Sequence, residues 1–372
     1  MTPIVQVLRD RESLEAIVRP WEQLAADALE PNPFYEPWIL LPALRAIEEE
    51  KAGASEAFRC VSIWAGSRLI GLFPFQLRPH FKGLPLATLT SWRHSAYLLC
   101  TPLVRTDAAA PALRALIEWA MSEASLLELL YLPANGPFDD ALRATARTIV
   151  RTARFARALL VKAASAEAYM DEAMSGQLRR QLRRNERRLR EQGMVTISVG
   201  PGADIGDEIE RFLELEASGW KGGEGGALAA SPANLSFGRT VLREAHRRGR
   251  LHMIGLDCGD QPVARRCSLL AGDGAYAFKT AYDEAYAAYS PGVLAEALSL
   301  REFHRLKGVE WMDSYTDPDN ATVNRMWRHR RALQSVAIGI GAWGEFWLSL
   351  LPVLRWTARR YSTLRSSLSP AS

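Results

Sequence analysis

The 372-residue sequence predicts an α+β fold, and three observations support that class. Strand-like runs follow one another at 251–257, 263–270 and 275–282, as in an antiparallel meander. A turn, a helix and a further strand come after this meander, so the plan is not the strict alternation of a doubly wound sheet. The chain also contains no Rossmann GxGxxG, P-loop or HExxH motif, which argues against the common dinucleotide, nucleoside triphosphate and zinc-protease sites.

Hydrophobic periodicity places further elements in both halves of the chain, and the length suits two domains. In the first half, strands are predicted at 4–8, 58–64, 69–77 and 126–132, and helices at 11–26, 112–124 and 139–150. In the second half, further strands are predicted at 155–161, 194–199, 309–313 and 336–340, and helices at 175–192, 207–217, 233–248, 291–306 and 321–328. We therefore predict domains over 1–152 and 153–340 and a separate tail over 341–372.

The composition is that of a folded protein, with 48% hydrophobic residues, 24% charged residues and a net charge of +4. This mildly basic balance is compatible with coenzyme A, anionic lipid or nucleic acid and selects none of them. The four cysteines form no CxxC pair, which favours free thiols in a reducing cytosol. The six histidines show no i, i+4 pair, so we predict no metal site. The N-terminus has no secretion-signal pattern, and we expect a cytoplasmic protein.

The segment from Ala275 to Arg301 carries the most chemical information. It predicts a strand, a loop and then a helix that begins at Ser290-Pro291-Gly292. Ser suits the N-cap, Pro suits the first helical position, and Gly allows a ligand to approach the backbone closely. The N–H groups and positive dipole end of such a helix suit a phosphate, and the strand before it can hydrogen-bond an amide-bearing arm. The same pattern also begins many helices that bind nothing.

Several short motifs occur in an order that is typical of one enzyme superfamily. They are Asn32-Pro33-Phe34, Leu69-Ile70-Gly71-Leu72-Phe73-Pro74, Ser218-Gly219-Trp220-Lys221-Gly222, Tyr282-Asp283-Glu284, Tyr289-Ser290-Pro291-Gly292, Val309 to Asp313 with Ser314, and Asn324-Arg325-Met326-Trp327. On these residues, the chain resembles the GNAT acyltransferase superfamily, in the FemAB-like branch often described as cellulose-biosynthesis-type acetyltransferases. The resemblance spans most of residues 1–335.

This resemblance implies two GNAT-like domains in tandem, with mixed sheets flanked by helices and the acyl donor in the second domain. It implies no tightly bound cofactor, with acyl-CoA or an acyl carrier protein as co-substrate. The usual superfamily phosphate loop is Gln or Arg-x-x-Gly-x-Gly or Ala, whereas this chain has Ala287-Ala288-Tyr289-Ser290-Pro291-Gly292. The departure leaves acyl-CoA, acyl carrier protein and another activated acyl species open as donors.

Amide formation from a thioester needs a deprotonated amine, a polarised carbonyl and an acid for the leaving thiolate. We expect Asp313 to orient or deprotonate the amine, Tyr282 to donate the proton and Lys279 to assist, although Asp313 equally suits a turn cap. Asp317 is a further carboxylate near the end of the same strand. The residues expected to bind the donor are Tyr289, Ser290, Pro291, Gly292, Arg183 and Arg184. The residues expected to bind the acceptor are Trp220, Lys221, Tyr315, Asn324 and Trp327.

The predicted helix at 175–192 is rich in arginine. Its arginines surround a leucine stripe and are Arg179, Arg180, Arg183, Arg184, Arg187, Arg188 and Arg190. This face suits the phosphates of coenzyme A, an acidic carrier protein or anionic headgroups, and it is also compatible with a solvated surface. We expect no nucleic acid partner, because the overall charge is small and no nucleic-acid-binding signature accompanies the patch.

The tail over 341–372 combines an apolar face with a basic end. The apolar residues are Trp343, Phe346, Trp347, Leu350, Leu351 and Leu354, and the basic ones are Arg355, Arg359, Arg360 and Arg365. This pattern predicts a C-terminal amphipathic helix on an anionic membrane surface, at the inner face of the membrane. A helix packed on the protein itself and a membrane-spanning helix are the alternatives, and the glycines and prolines near its start count against spanning.

Together these features predict an N-acyltransferase that moves a long acyl chain from a thioester to the amine of an amphiphile. Within this branch, bacterial ceramide synthases acylate a sphingoid base, and the chain is compatible with that role. Acetylation of an amino sugar in polysaccharide biosynthesis is the first alternative. A non-catalytic, membrane-associated scaffold is the second.

Overall fold

The structure is a computed structural model that describes residues 2–50, 56–199, 204–218 and 228–350 of the chain. The strands are β1 (Ile4–Leu8), β2 (Phe58–Ala65), β3 (Arg68–Arg78), β4 (Thr88–Ser91), β5 (Leu103–Val104), β6 (Leu126–Pro133), β7 (Ile149–Val161), β8 (Met194–Val199), β9 (Leu251–Cys258), β10 (Gln261–Ala271), β11 (Gly274–Tyr282), β12 (Trp311–Asp313) and β13 (His329–Gly339). The α-helices are α1 (Arg11–Glu15), α2 (Val18–Ala26), α3 (Pro37–Glu50), α4 (Ala109–Ala120), α5 (Pro137–Thr145), α6 (Ala166–Ala173), α7 (Gly176–Glu191), α8 (Gly206–Ser218), α9 (Pro232–Arg247), α10 (Pro291–Arg305) and α11 (Ala321–Asn324).

The strands form one continuous mixed sheet, which confirms the predicted α+β class but replaces the separate sheets with a single one. Their order is β1-β2-β3-β4-β6-β13-β7-β12-β11-β10-β9-β8, and β5 pairs with β3 beside this path. The late strand β13 inserts between β6 and β7, antiparallel to both. The C-terminal part of the described chain therefore joins the two halves through backbone hydrogen bonds on both sides of β13.

Apolar cores cover both faces of this sheet in the described chain. On one face, a core shared by the two halves joins α2 and α3 to α8 and α9, with Phe34, Phe212 and Tyr276 among its fully buried members. On the other face, α4 and α5 cover the first half, while α6, α7 and α10 cover the second. The halves thus bury apolar surface against each other as well as through the sheet.

Local sequence patterns gave the correct type for most elements, and the differences have physical reasons. Helix α3 was not predicted because it is buried on most sides and its run of apolar residues, with Pro42 inside it, shows no clear amphipathic period. The helix predicted at 139–150 ends at Thr145, and β7 begins at Ile149. β7 runs across the predicted boundary between residues 152 and 153, and the division into two domains stays a prediction.

The sheet opens into a notch at β11 and β12. These strands are parallel and pair only over Gly274–Tyr276 and Trp311–Asp313. Beyond this point, β11 continues from Ala277 to Tyr282 with β10 on one side. No strand of the described chain pairs with its other edge, because the chain leaves the sheet after Asp313. The free edge and the departing chain form the two sides of the notch.

A buried carboxylate fixes the point at which the notch opens. Asp313 is fully buried and receives hydrogen bonds from Arg157 Nη2 at 2.8 Å, Arg331 Nη1 at 3.1 Å and the Tyr315 N–H at 2.9 Å. Arg157 lies on β7 and Arg331 on β13, so one carboxylate joins three neighbouring strands. Arg157 Nη1 also donates to the Leu98 carbonyl in the first half, at 2.7 Å. Burial raises the pKa of Asp313, but the two guanidinium groups and the N–H hold it below its ordinary value.

Asp313→Asn should therefore destabilise the fold. The change leaves two guanidinium groups without their counter-ion, and we expect the free energy of unfolding to fall by about 3–5 kcal/mol. Because the folded-state pKa of Asp313 is lowered, its contribution is present above the ordinary carboxyl pKa and is lost as acid protonates the group. Chemical denaturation at neutral pH and in acid should show the gap between variant and wild type shrinking in acid.

The matched control is Asp319→Asn, which changes an exposed carboxylate in the following loop. We expect this control to alter the free energy of unfolding by less than about 0.5 kcal/mol. An Asp313→Asn chain as stable as the wild type would show that the ion pairs do not hold the sheet together.

Candidate functional site

A cavity of about 720 Å³ occupies the notch, a size within the range of small-molecule sites. Its floor is the free part of β11, and one side is the N-terminal turn of α10. The other sides are the residues after β12, the start of α11, and residues 95–98 of the first half. The cavity thus has one side next to α10, called the donor side after the sequence prediction, and a second side that the first half helps to build.

The start of α10 lies on this side, where Ser290, Pro291 and Gly292, three of the residues expected to bind the donor, line the cavity. Pro291 occupies the first helical position. Ser290 occupies the N-cap position as predicted, but its side chain makes no cap hydrogen bond. Instead, Ser290 adopts a left-handed conformation with φ of 53°, and its N–H donates to the Ala287 carbonyl at 2.9 Å. Its backbone closes a 3₁₀ turn over Glu284–Tyr289 and aims the helix start at the cavity.

Tyr282 and Gly292 lie against each other at this wall. A Cβ atom added at Gly292 would come within 3.0 Å of Tyr282 Cδ1, so only glycine lets the ring pack on the helix without displacement. The Tyr282 side chain is half-buried and lines the cavity at the end of β11. The residue predicted as proton donor is therefore at the cavity wall, beside the helix start.

Beneath α10, the cavity wall contains an ion pair that the sequence reasoning missed. Arg266 on β10 and Glu296 on α10 are both buried, and their side chains are paired. Arg266 Nε also donates to Ser299 Oγ at 3.1 Å, and Glu296 Oε1 accepts the indole N–H of Trp327 at 2.8 Å. A charged residue within the apolar run of β10 was the available signal, since buried charges in strands are paired or functional.

Lys279 also lines the cavity, and its surroundings limit what it can do. Its Nζ lies 3.4 Å from Oε1 of Glu216, which is fully buried on α8. The other Glu216 oxygen accepts the Leu228 N–H at 2.9 Å. Lys279 is thus held by a buried carboxylate at the wall of the cavity.

Residues 95–98 form the wall contributed by the first half, and sequence reasoning did not identify them. Tyr315 fixes this wall, because its hydroxyl accepts the Leu98 N–H at 2.7 Å and donates to the Ala96 carbonyl at 3.1 Å. His94 Nδ1 accepts the Ala96 N–H at 3.2 Å, while its Nε2 lies 3.0 Å from Asn234 Oδ1. Burial lowers the pKa of His94 to about 4, so the ring is neutral and acts as a fixed hydrogen-bonding group.

Tyr315, which was expected to bind the acceptor, lines the cavity, and its hydroxyl is fully engaged by the backbone of residues 96 and 98. The ring stacks on Phe34 with centroids 4.4 Å apart, and Arg157 lies 5.1 Å from its centroid. Burial raises the pKa of Tyr315 well above its usual value, so the phenol stays protonated. The geometry gives Tyr315 the role of a wall that is held in place, rather than that of a mobile contact.

The position of Asp313 does not favour the role of base that we expected for it. It does not line the cavity, and both of its oxygens are occupied by guanidinium groups and a backbone N–H. Asp317, four residues further on, is exposed and lines the cavity. In the described part of the chain, no basic side chain forms an ion pair with Asp317.

The remaining predicted site residues lie away from the cavity or outside the described residues. Trp327 is buried against Glu296, and Asn324 Nδ2 donates to the Pro318 carbonyl at 2.6 Å, so both stabilise the region behind the wall. Arg183 and Arg184 are exposed on α7 and do not line the cavity. Trp220 and Lys221 lie outside the described residues.

Tyr289, the remaining predicted donor residue, lies just outside the cavity wall. It is half-buried and packs beside Tyr286, with ring centroids 6.4 Å apart. Arg188 of α7 covers its ring at 5.0 Å from the centroid. Tyr289 thus links the arginine-rich helix to the start of α10.

The predicted tail is described only to residue 350, where 341–350 are helical. Gly344 packs against the Ser125 carbonyl and Leu348 is 1% exposed, so one face rests on the protein. Trp343 and Phe346 are 60% and 55% exposed on the helix. No helix within the described ranges has both the length and the apolar character needed to cross a membrane. The arginines predicted for the membrane surface lie outside the described residues.

Comparison with known proteins agrees with this geometry. Residues 176–335 match the acetyltransferase (GNAT) domain family. The fold is similar to that of FemX, with a TM-score of 0.53 and 10% identity, covering 88% of this chain and 96% of that one. It is similar to the C-terminal domain of a proposed lysylphosphatidylglycerol synthetase from Agrobacterium fabrum, with a TM-score of 0.51, 12% identity and coverages of 91% and 97%.

A conserved protein of unknown function from Bacteroides thetaiotaomicron is also similar in fold, with a TM-score of 0.50 and 13% identity, covering 90% of this chain and all of that one. No curated protein shows significant sequence similarity to the chain. The domain match includes β11, β12 and α10, which are the elements that form the notch. The chain therefore contains a GNAT acetyltransferase domain over residues 176–335, which supports an amide-forming acyltransferase, and its fold is similar to that of FemX.

Proposed function

We propose that the protein transfers a long acyl chain from acyl-CoA to the amine of an amphiphilic acceptor, such as a sphingoid base. The observation that carries the proposal is the notch itself, in which the free edge of β11 and the start of α10 face one cavity. Strand-edge backbone groups suit the amides of a pantetheine arm, and a helix N-terminus suits the phosphate that follows it. The thioester would then lie near the end of Asp313's strand, with the acceptor entering from the side of residues 95–98.

In the proposed reaction, the amine nitrogen attacks the thioester carbonyl carbon, the new C–N bond forms, and the C–S bond breaks. The acceptor ammonium loses one proton before the attack, and its nitrogen loses a second as the amide forms. The leaving thiolate gains one proton, and the other passes to solvent. Tyr282 at the cavity wall is suited to protonate the thiolate. Asp317 is suited to bind the acceptor ammonium and to take its proton, because it is the exposed carboxylate at the acceptor side of the cavity.

The direct test is an assay of the wild-type chain with palmitoyl-CoA and sphinganine, with mass spectrometry of the products. We expect the amide and free coenzyme A in equal amounts. Turnover only with acetyl-CoA and an amino sugar would refute the amphiphilic acceptor and move the assignment to polysaccharide modification. Failure of the chain to consume either thioester would favour the scaffold.

Asp317→Asn tests the proposed role of the cavity carboxylate. We expect kcat/KM for the amine to fall about 100-fold, as is typical for removal of a general acid–base group, with little change in the melting temperature. The matched control is Asp319→Asn, two residues further along the same loop, which does not line the cavity. Equal kcat/KM values for Asp317→Asn and the control would exclude this role.

The membrane side of the proposal rests on the helix over 341–350 and on the sequence that follows it. Trp343 and Phe346 face away from the protein, with ring centroids 6.4 Å apart. The later tail adds Arg355, Arg359 and Arg360 to the sequence. Exposed aromatic rings followed by arginines suit the interface of an anionic membrane.

A double variant, Trp343→Ser with Phe346→Ser, should weaken binding to phosphatidylglycerol vesicles about tenfold or more. The variant lacks the two apolar rings whose transfer from water into the membrane interface would favour binding. Vesicle co-sedimentation measures this effect. Ile4→Ser is the control, since Ile4 is 65% exposed on β1 at the far edge of the sheet. Unchanged binding by the double variant would mean that this helix does not contact the membrane.

A further inference from the structure

The arginine-rich helix α7 presents two kinds of arginine in the structure. Three of them have carboxylate partners: Arg179 pairs with Asp171, Arg187 with Glu191, and Arg190 with Glu186. The other four form no ion pair with any described carboxylate and are Arg180, Arg183, Arg184 and Arg188. Arg179 is half-exposed, and the other six arginines are exposed.

Three of the unpaired arginines form a row, which we name the arginine stripe: Arg180, Arg184 and Arg188. They recur every four residues, so they share one face of α7. Like charges at this spacing repel one another and destabilise a helix. An anion bound along the stripe would remove this repulsion, and guanidinium groups bind phosphate oxygens in a two-pronged geometry.

The stripe leads to the donor side of the cavity. At its end, the Arg188 guanidinium lies 5.0 Å from the ring centroid of Tyr289. Tyr289 directly precedes Ser290, which lines the cavity at the start of α10. The last arginine of the stripe is therefore next to the position at which a phosphate would meet the helix N-terminus.

The cavity itself offers little positive charge to a donor with several phosphates. Two basic residues line it within the described chain. Arg266 is paired with Glu296, and Lys279 is paired with Glu216. The helix start can hold one phosphate group through its N–H groups, but any further phosphates need cations from outside the cavity.

We propose that the arginine stripe is a second anion subsite, which binds the nucleotide 3′-phosphate of the acyl-CoA donor after the pyrophosphate has passed the start of α10. This inference rests on the proposed function and adds a feature to it, namely recognition of the far end of the donor by α7. Arg183 is not part of the proposed subsite, because it does not share the four-residue spacing of the arginine stripe.

The test compares coenzyme A with 3′-dephospho-coenzyme A as ligands of the full-length chain, by isothermal titration calorimetry at fixed salt concentration. For the wild type, we expect the dephosphorylated ligand to bind about tenfold more weakly. In Arg184→Gln with Arg188→Gln, the two ligands should bind equally well. The control Arg187→Gln removes an arginine that is paired with Glu191 and 73% exposed, and it should keep the wild-type preference.

Arg180→Gln with Arg184→Gln is a second stripe variant, which leaves the contact between Arg188 and Tyr289 intact and guards against local unfolding. It should also reduce the preference for the 3′-phosphate. Equal binding of the two ligands by the wild type, or loss of the preference in Arg187→Gln to the same extent, would overturn the subsite. Failure of the wild type to bind either ligand would instead overturn the proposed donor.

Vesicle binding distinguishes a lipid role for the same residues. We expect the stripe variants to bind phosphatidylglycerol vesicles as the wild type does. Loss of vesicle binding by these variants, with an unchanged preference for coenzyme A over its dephosphorylated form, would assign the stripe to lipid headgroups and refute the donor subsite.

Discussion

The carboxylate of Asp313 joins parts of the chain that are far apart in sequence, and much of the site depends on it. Two guanidinium groups, from Arg157 and Arg331, meet this carboxylate in the interior, where water cannot screen or replace it. Through Arg157, the same network holds the Leu98 carbonyl of the first half. Leaving any member of this buried network unpaired costs free energy, so arrangements in which only some of the pairs form are disfavoured. The strands and the first-half wall are therefore fixed together.

The same carboxylate also explains why a cavity exists. It accepts the N–H of Tyr315, which has a φ of 50°, and this turn directs the chain out of the sheet after β12. Because β12 stops there while β11 continues, one strand edge is left for a ligand. The hydroxyl of Tyr315 then returns to Ala96 and Leu98, so the residue that ends the strand also positions the opposite wall. Joining the halves and opening the notch are consequences of one interaction.

Arginine has three distinct physical roles in this protein. Arg157 and Arg265 are fully buried and balanced by carboxylates, so they stabilise the interior and are unavailable to ligands. Arg266 is balanced in the same way but at the wall of the cavity. The exposed arginines of α7 divide again into paired residues, the arginine stripe and Arg183, which is unpaired and lies beside the stripe. Net charge and local arginine density do not distinguish these roles, because each is defined by the carboxylates that tertiary packing brings within reach.

Local patterns predicted the elements whose formation depends on neighbouring residues. The hairpin of β2 and β3, the meander of β9 to β11 and the helix that begins at Pro291 follow from alternation, turn residues and helix-start residues over short windows. The chain itself therefore determined the mixed α+β class, the strand, turn and helix start over 275–301, and the leucine stripe of α7. Its motif order also indicated the superfamily. These features need only contacts between residues close in sequence, or the order of short segments.

Tertiary structure alone decided the insertion of β13 between β6 and β7, the shared core of the two halves, and the wall at residues 95–98. It also moved Asp313 from a candidate base to a buried ion pair and brought Asp317 to the cavity. Arg157 and Asp313 meet across 156 positions in the sequence, and no local period encodes such a meeting. Strand order determines which distant charges become neighbours, and burial then determines which of them remain free to act on a substrate.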